Sequence, residues 1–253
     1  MLEIRDIRKS FGGVHAVDGC SLTVLKGTIT GLIGPNGAGK TTLFNIITGF
    51  YKPDEGEILF KGDRIDGLPP HKIFHHRICR TFQITREFSH MTLLENLMVM
   101  AQNQSGEKIW NSLFCQNKVR SQERILRDKA LEILKFFELI HLKDEYAKNL
   151  SGGQKKLLEL AKTQMADPEL VLLDEPGAGV NRTLMKKLVE NIKSLCTEGG
   201  ITFLIIEHDM DMVMNLCDPV IVMSEGRKLT EGAPEKIKSD ERVLEAYLGG
   251  QYR

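Results

Sequence analysis

The sequence has no excess of charge of either sign, because Lys plus Arg and Asp plus Glu both number 34. A nucleic-acid-binding protein usually carries a clear basic excess, so we expect no nucleic-acid partner. No apolar run approaches the roughly 20 residues that a membrane-spanning helix needs. Residues 1–6 also lack the apolar stretch of a secretory signal. We therefore expect any association with a membrane to depend on a partner subunit.

Cysteine pairs with metal-binding or redox spacing are absent as well. The chain has five cysteines and no CxxC pair, which excludes zinc ribbons and thioredoxin-like sites. We expect reduced, mostly buried thiols, as in cytosolic proteins. His71, His75 and His76 lie at helical spacing, but a zinc site needs three or four protein ligands. A surface helix explains these histidines better than a metal site.

Strands and helices alternate in the last third of the chain. The apolar runs 170–173, 202–206 and 220–223 are typical of short buried parallel strands. Helical patterns at 183–196 and 209–216 separate these runs. This alternation predicts an α/β fold with a doubly wound sheet.

The rest of the chain predicts two additions to this core. Alternating apolar residues near the start and at 56–62 indicate antiparallel strands at an edge. The middle third is largely helical, with an amphipathic helix at 122–139. We predict one domain, 1–253, whose α/β core and antiparallel part come from 1–85 and 166–253. The mainly helical subdomain then spans 86–165.

The stretch 102–121 is the most linker-like part of the sequence, although it contains an apolar patch at 109–114 that includes Trp110. Its large apolar groups lie on one face of a predicted helix. Such a face can dock on a partner or on lipid headgroups. It more often packs on its own domain, and we favour that interpretation.

A glycine-rich loop follows the predicted strand 28–33 and precedes a predicted helix at 40–48. Its sequence, GPNGAGKT, fits the phosphate-binding pattern G-x-x-x-x-G-K-[ST]. Backbone N–H groups and the helix N-terminus would surround a phosphate, Lys40 would contact the β- and γ-phosphates, and the Thr41 hydroxyl would contact Mg²⁺. The sequence thus predicts ATP and Mg²⁺ as ligands. The nucleotide-binding residues would be Gly34, Pro35, Asn36, Gly37, Ala38, Gly39, Lys40, Thr41 and Thr42.

Two carboxylates follow the apolar run at 170–173. Asp174 and Glu175 would lie at the carboxyl end of a parallel strand, which is the ligand-binding edge of such a sheet. In P-loop ATPases the first carboxylate holds Mg²⁺, and the second can polarise the attacking water. A solvated acidic turn is the alternative, and the upstream phosphate loop argues against it.

The segment Leu150–Gln154 reads LSGGQ and lies about twenty residues before Asp174. In this it resembles the signature of the ABC ATPase family. Ser151 can cap the following helix, and the two glycines allow backbone N–H groups to approach a phosphate. The resemblance implies that Ser151, Gly153 and Gln154 act on the nucleotide held by the opposite subunit. It covers essentially the whole chain and implies a P-loop NTPase (RecA-like) core with an antiparallel β edge and an inserted α-helical subdomain.

Other family positions can be matched in turn. Gln83, in the segment RTFQ, resembles the glutamine that contacts Mg²⁺ or water and links to the transmembrane partner. His208, in IIEHD, resembles the histidine that contacts the γ-phosphate. Phe11 resembles the aromatic residue that stacks on adenine, with Val17 beside it. Asn181 stands where many members have an aspartate, which removes a charge from the loop that follows Glu175.

The chain most resembles ATPase subunits of branched-chain amino-acid importers, for instance in TGFYKP, in IEHDM and in the ending AYLG. This resemblance implies a head-to-tail dimer with a second ABC ATPase subunit, identical or different. It also implies permease subunits, indirect cooperation with a periplasmic or extracellular solute-binding protein, and a peripheral position on the cytoplasmic face of the membrane. The alternatives are a lipid or lipopolysaccharide exporter ATPase and a soluble ABC ATPase outside transport. The resemblance also implies that solute specificity lies in the other subunits of the transporter.

Overall fold

The computed structural model describes residues 1–82, 87–102, 104–107, 110 and 115–249. Two β-sheets are present in these ranges, one of six strands and one of four. The chain comprises two compact units. The first unit comprises 1–83, 169–178 and 189–253, and the second comprises 84–168 and 179–188.

The six-stranded sheet forms the centre of the first unit. Its order is β10-β9-β3-β8-β7-β6, and every neighbouring pair is parallel except β10 with β9. Strands β3, β7 and β8 are buried along their whole length, as their continuous apolar sequences predict. The strands are β3 (Ile29–Ile33), β6 (Ile78–Arg80), β7 (Leu170–Asp174), β8 (Thr202–Ile206), β9 (Val220–Ser224) and β10 (Arg227–Gly232).

The four-stranded sheet is antiparallel and belongs to the same unit. Its order is β2-β1-β4-β5, with β1 at Leu2–Phe11, β2 at Val14–Val24, β4 at Glu55–Phe60 and β5 at Asp63–Arg64. Alternate side chains of these strands join a core cluster with α1 and the parallel strands. The predicted α/β core with an antiparallel β part is therefore present.

The helices follow the predicted pattern with shifted ends. The helix expected at 122–139 begins at Gln116 and ends at Phe136, because Glu138 turns the chain with a left-handed φ of 57°. The α-helices are α1 (Lys40–Ile47), α2 (Pro70–His75), α3 (Leu93–Met98), α4 (Gln116–Phe136), α5 (Gly152–Gln164), α6 (Arg182–Thr197), α7 (Met210–Leu216), α8 (Pro234–Lys238) and α9 (Glu241–Gly249).

The second unit is mainly helical. It holds α3, α4, α5 and the first residues of α6, and α3 and α5 both begin with complete capping boxes. Within the described ranges, no helix combines the length and the apolar character needed to cross a membrane. Four of the five cysteines are buried, as expected, and Cys115 is exposed.

Candidate nucleotide site

The loop between β3 and α1 has a backbone that depends on glycine at two close approaches. Gly34 has φ 150°, and a Cβ there would lie 2.1 Å from the carbonyl oxygen of Met223. Gly39 has φ 95°, and its Cβ would lie 2.3 Å from the carbonyl oxygen of Ala16. Any side chain at either position would displace backbone. The glycines of the motif therefore fix the loop against β9 and β2.

Lys40 is held beneath this loop. Its side chain is buried, and Nζ donates hydrogen bonds to the carbonyl oxygens of Gly34 at 2.8 Å and Pro35 at 3.0 Å. Burial lowers the pKa of Lys40, while the charges of Glu175 and Asp174 oppose that shift. The ammonium group is thus positioned by the loop itself and is close enough to both carboxylates to interact with them.

A cavity of about 390 Å³ lies over the loop and α1. It has the size of a small-ligand site. Glycine-rich backbone, the N-terminus of α1 and Lys40 line this cavity. Backbone N–H groups and an ammonium group would bind an anion there, so the donor set fits a nucleotide phosphate chain. The lining residues are Val14, His15, Ala16, Asn36, Gly37, Ala38, Gly39, Lys40, Thr41, Thr42, Glu175 and His208.

Asp174 ends β7 at this edge of the sheet and is buried. Its Oδ2 accepts a hydrogen bond from Arg80 at 2.8 Å, and both side chains are only 6% exposed. Thr41 is exposed in the first turn of α1. A carboxylate and a hydroxyl are suitable oxygen ligands for Mg²⁺. Within the described residues there is no group of three His, Cys, Asp or Glu side chains that could hold a metal by itself.

Glu175 and His208 line the same cavity and contact each other. The Nε2 of His208 lies 2.9 Å from Oε1 of Glu175, with the Glu175 side chain 20% exposed. β7 and β8 are parallel neighbours, so their carboxyl ends bring the two residues together. Glu175 has a left-handed φ of 50°, and its N–H donates to the carbonyl oxygen of Ile206 at 2.9 Å. The strained turn places the carboxylate beside the imidazole.

Glu207 supports the turns that carry Glu175 and His208. The sequence motifs did not predict this role for Glu207. It is buried, and its carboxylate accepts hydrogen bonds from the N–H groups of Gly177 at 2.6 Å, His208 at 2.9 Å and Asp209 at 3.3 Å. It therefore ties the turn after Glu175 to the turn that carries His208. The one sequence feature that could have pointed to Glu207 is its position as an acidic residue directly after the buried strand β8.

The predicted adenine residues differ in their environment. Phe11 is 44% exposed and packs edge-on against Tyr51, with ring centroids 5.2 Å apart. The expectation for Val17 needs correction, because its side chain is fully buried in the core and offers no surface to a base. Val14, which is 67% exposed, lines the cavity instead. The hairpin register places Val14 opposite Phe11.

Comparison with known proteins decides the family. Residues 17–178, which are more than half of the chain, match the ABC transporter family. The chain belongs to the ABC transporter family. Residues 227–253 also match a family described as branched-chain amino acid ATP-binding cassette transporter. The predicted resemblance, and with it an ABC-type ATPase that serves transport, is confirmed.

Individual ABC proteins are similar over almost the whole chain. A probable branched-chain amino acid transport ATP-binding protein LivG from Archaeoglobus fulgidus is 42% identical over 99% of this chain and 96% of its own length. The ADP conformation of an ABC transporter cassette has a TM-score of 0.84 at 41% identity, covering 98% of both chains. A dimeric cassette bound to ADP and Pi has a TM-score of 0.76 at 25% identity, covering 92% of this chain and 99% of its own. These likenesses confirm the predicted P-loop fold.

The ABC signature segment lies in the second unit. Ser151 caps α5: the N–H of Gln154 donates to the Ser151 hydroxyl at 3.3 Å, and the Gln154 side-chain oxygen accepts from the Ser151 N–H at 2.9 Å. Gly153 is buried, and a Cβ there would lie 2.4 Å from Cδ1 of Leu184. The predicted cap is therefore present, and Gly153 allows close packing between α5 and α6.

Three other predicted positions have different outcomes. Gln83 lies outside the described residues, so its predicted roles remain predictions. The Asn181 side-chain oxygen accepts a hydrogen bond from the N–H of Leu184 at 3.0 Å, so Asn181 caps the start of α6. Trp110 is 75% exposed, and most of the apolar patch around it lies outside the described residues.

Proposed function

We propose that this chain binds and hydrolyses ATP to energise an importer of branched-chain or related amino acids. The contact between Glu175 and His208 in the lining of the cavity over α1 is the main observation in favour of hydrolysis. The match of residues 227–253 and the name of the Archaeoglobus relative support the solute class. The absence of a charge excess agrees with a substrate other than nucleic acid.

The residues around the cavity have distinct roles in this proposal. Backbone N–H groups of 34–39 and the Lys40 ammonium bind the β- and γ-phosphates. Thr41, Asp174 and Gln83 are the proposed Mg²⁺ ligands. Mg²⁺, when bound, neutralises charge on the phosphate oxygens. Phe11 and Val14 offer exposed apolar surface to the adenine.

Hydrolysis needs a water oriented toward the γ-phosphorus. We assign Glu175 to accept a hydrogen bond from this water and His208 to hold the γ-phosphate and the Glu175 side chain in place. The water oxygen forms a bond to the γ-phosphorus while one of its protons passes to the Glu175 carboxylate. The bond between the γ-phosphorus and the β–γ bridging oxygen breaks, and ADP and phosphate are the products. Catalysis of this kind depends on positioning and on charge stabilisation.

The signature residues complete the site from a second subunit in this proposal. Ser151, Gly153 and Gln154 would face the nucleotide of the opposite ABC subunit, which requires a head-to-tail two-fold pair. The likeness to a dimeric cassette supports this arrangement. ATP-driven closure would then act on permease subunits at the cytoplasmic face of the membrane. Light scattering of a Glu175→Gln variant, which should trap ATP, tests the pair; a monomeric mass with bound ATP would exclude pairing between identical copies.

Uptake of radiolabelled leucine tests the proposed transport function. Deletion of the gene should abolish high-affinity uptake, and the wild-type gene should restore it. A gene with Glu175→Gln should fail to restore uptake at equal protein level, while Glu198→Gln, an exposed control, should succeed. Unchanged uptake of leucine, isoleucine and valine after deletion would refute the proposed solute class.

A further inference from the structure

Arg80 occupies a buried position between three elements of the first unit. It ends β6, where it is paired in register with Leu172 of β7, and its side chain is only 6% exposed. Its Nη2 donates to Oδ2 of Asp174 at 2.8 Å. A buried charge pair of this kind is unusual, because both ions lose hydration.

The same guanidinium group is fixed by α1. Its Nη1 donates to Oδ1 of Asn45 at 2.6 Å and to the hydroxyl of Thr48 at 3.3 Å. It also lies over the rings of Phe44 and Phe82, with its central carbon 5.6 and 5.3 Å from their centroids. Among the described residues its Nε has no hydrogen-bond partner. Directional hydrogen bonds and cation–π contacts, in addition to charge, therefore hold its orientation.

We propose that Arg80 is a positioning residue that orients the Asp174 carboxylate for Mg²⁺. Its hydrogen bond engages Oδ2 alone, and no described residue other than Arg80 is seen to hydrogen-bond this carboxylate. Oδ1 is thereby left to a metal. This inference rests on the proposed role of Asp174 as a metal ligand.

The geometry also explains why lysine would be a poor substitute. A guanidinium group donates in a fixed plane to Asp174 and to Asn45 at the same time, and here it also lies over two aromatic rings. An ammonium group is a compact charge without that plane. Arg80 thus connects the phosphate-binding helix α1 to the end of β7. It also lies two residues before Phe82, next to the segment that contains Gln83.

Metal binding can be measured apart from catalysis. We would titrate Mn²⁺ by electron paramagnetic resonance into the full chain saturated with a non-hydrolysable ATP analogue. Arg80→Met should weaken Mn²⁺ binding about tenfold or more, as for other residues that orient metal ligands. Arg80→Lys should show most of that loss. Arg77→Met, three residues earlier and 56% exposed, is the matched control and should bind Mn²⁺ like the wild type.

Nucleotide affinity measured in EDTA distinguishes a specific loss of metal binding from general damage to the nucleotide site. Arg80→Met should bind a fluorescent ATP analogue without metal within about twofold of the wild type, because Arg80 does not line the cavity. The inference would be overturned if Arg80→Met lost nucleotide affinity equally with and without metal. It would also be overturned if Arg80→Met bound Mn²⁺ like the wild type. Asp174→Asn distinguishes the two levels of failure. If both Arg80→Met and Asp174→Asn bind Mn²⁺ normally, the proposed metal site is wrong. If Asp174→Asn loses Mn²⁺ binding and Arg80→Met keeps it, only the role of Arg80 is wrong.

Discussion

The imidazole of His208 and the carboxylate of Glu175 are joined at 2.9 Å between Nε2 and Oε1. The pair forms at the ends of two adjacent parallel strands and faces the cavity that holds Lys40. Within the described residues, this places a base, a hydrogen-bonding ring and a phosphate-binding ammonium around one space. The arrangement suits hydrolysis of a bound phosphoanhydride.

His208→Ala should lower the turnover of Mg²⁺-ATP with little loss of ATP affinity. The histidine side chain is 42% exposed and contacts Glu175, so its loss should spare the fold and affect the reacting end of the nucleotide. We expect kcat to fall about a hundredfold, as for other side chains that stabilise a transferring group. Phosphate release and equilibrium binding measure the two effects. His71→Ala, an exposed control outside the cavity, should leave both unchanged.

Glu207→Gln should lower both stability and activity. In the wild type, three backbone N–H groups donate to the Glu207 carboxylate at 2.6 to 3.3 Å. The amide replaces one acceptor oxygen with an NH₂ group, which cannot accept these hydrogen bonds. We expect the free energy of unfolding to fall by about 1.5–3 kcal/mol, the range for hydrogen bonds to charged groups. Denaturant titration checks this value. A loss no larger than that of the exposed control Glu132→Gln would contradict the role of Glu207.

Gly39→Ala should abolish nucleotide binding. The new Cβ would lie 2.3 Å from the Ala16 carbonyl oxygen, in a backbone conformation with φ 95°. The loop has to move away from β2, which removes N–H donors from the phosphates. Gly13→Ala is the control, because its Cβ would meet nothing within 4 Å. Binding of a fluorescent ATP analogue should be lost in the first variant and retained in the second.

The cysteines should differ sharply in their reaction with iodoacetamide. Burial raises the pKa of Cys20 to about 11 and the pKa values of Cys79 and Cys217 to about 12. The thiolate is the reactive form, so at pH 8 these groups stay protonated, and they become reactive only as the pH rises toward those values. Mass spectrometry of the native protein should find Cys115, which is exposed, labelled first. Rapid labelling of Cys79 at pH 8 would contradict its burial.

The sequence was most informative where chemistry requires a fixed order of residues. The phosphate loop, Asp174 after a buried strand and the cap at Ser151 could be located because each motif depends on a few adjacent positions. The central strands were predictable because buried parallel strands have continuous apolar sequences. Helix ends were less accurate, as for α4, because a single left-handed residue such as Glu138 ends a helix.

Contacts between distant segments could not be predicted in this way. Arg80 and Asp174 are 94 positions apart, and only the pairing of β6 with β7 brings them together. Glu207 likewise meets Gly177 through the neighbouring strands β7 and β8. The error at Val17 has a similar origin, because the register of the β1–β2 hairpin determines which valine faces the cavity.

The most direct test of ATP hydrolysis at this site is the rate of phosphate release by the purified chain and its Glu175→Gln variant. Saturating Mg²⁺-ATP should be hydrolysed by the wild type, and the variant should be slower by about a hundredfold or more while still binding ATP, since a general base contributes that much. Equal rates for the two proteins would contradict the assignment of Glu175. A wild type that binds ATP without hydrolysing it would contradict hydrolysis by pairs of identical copies.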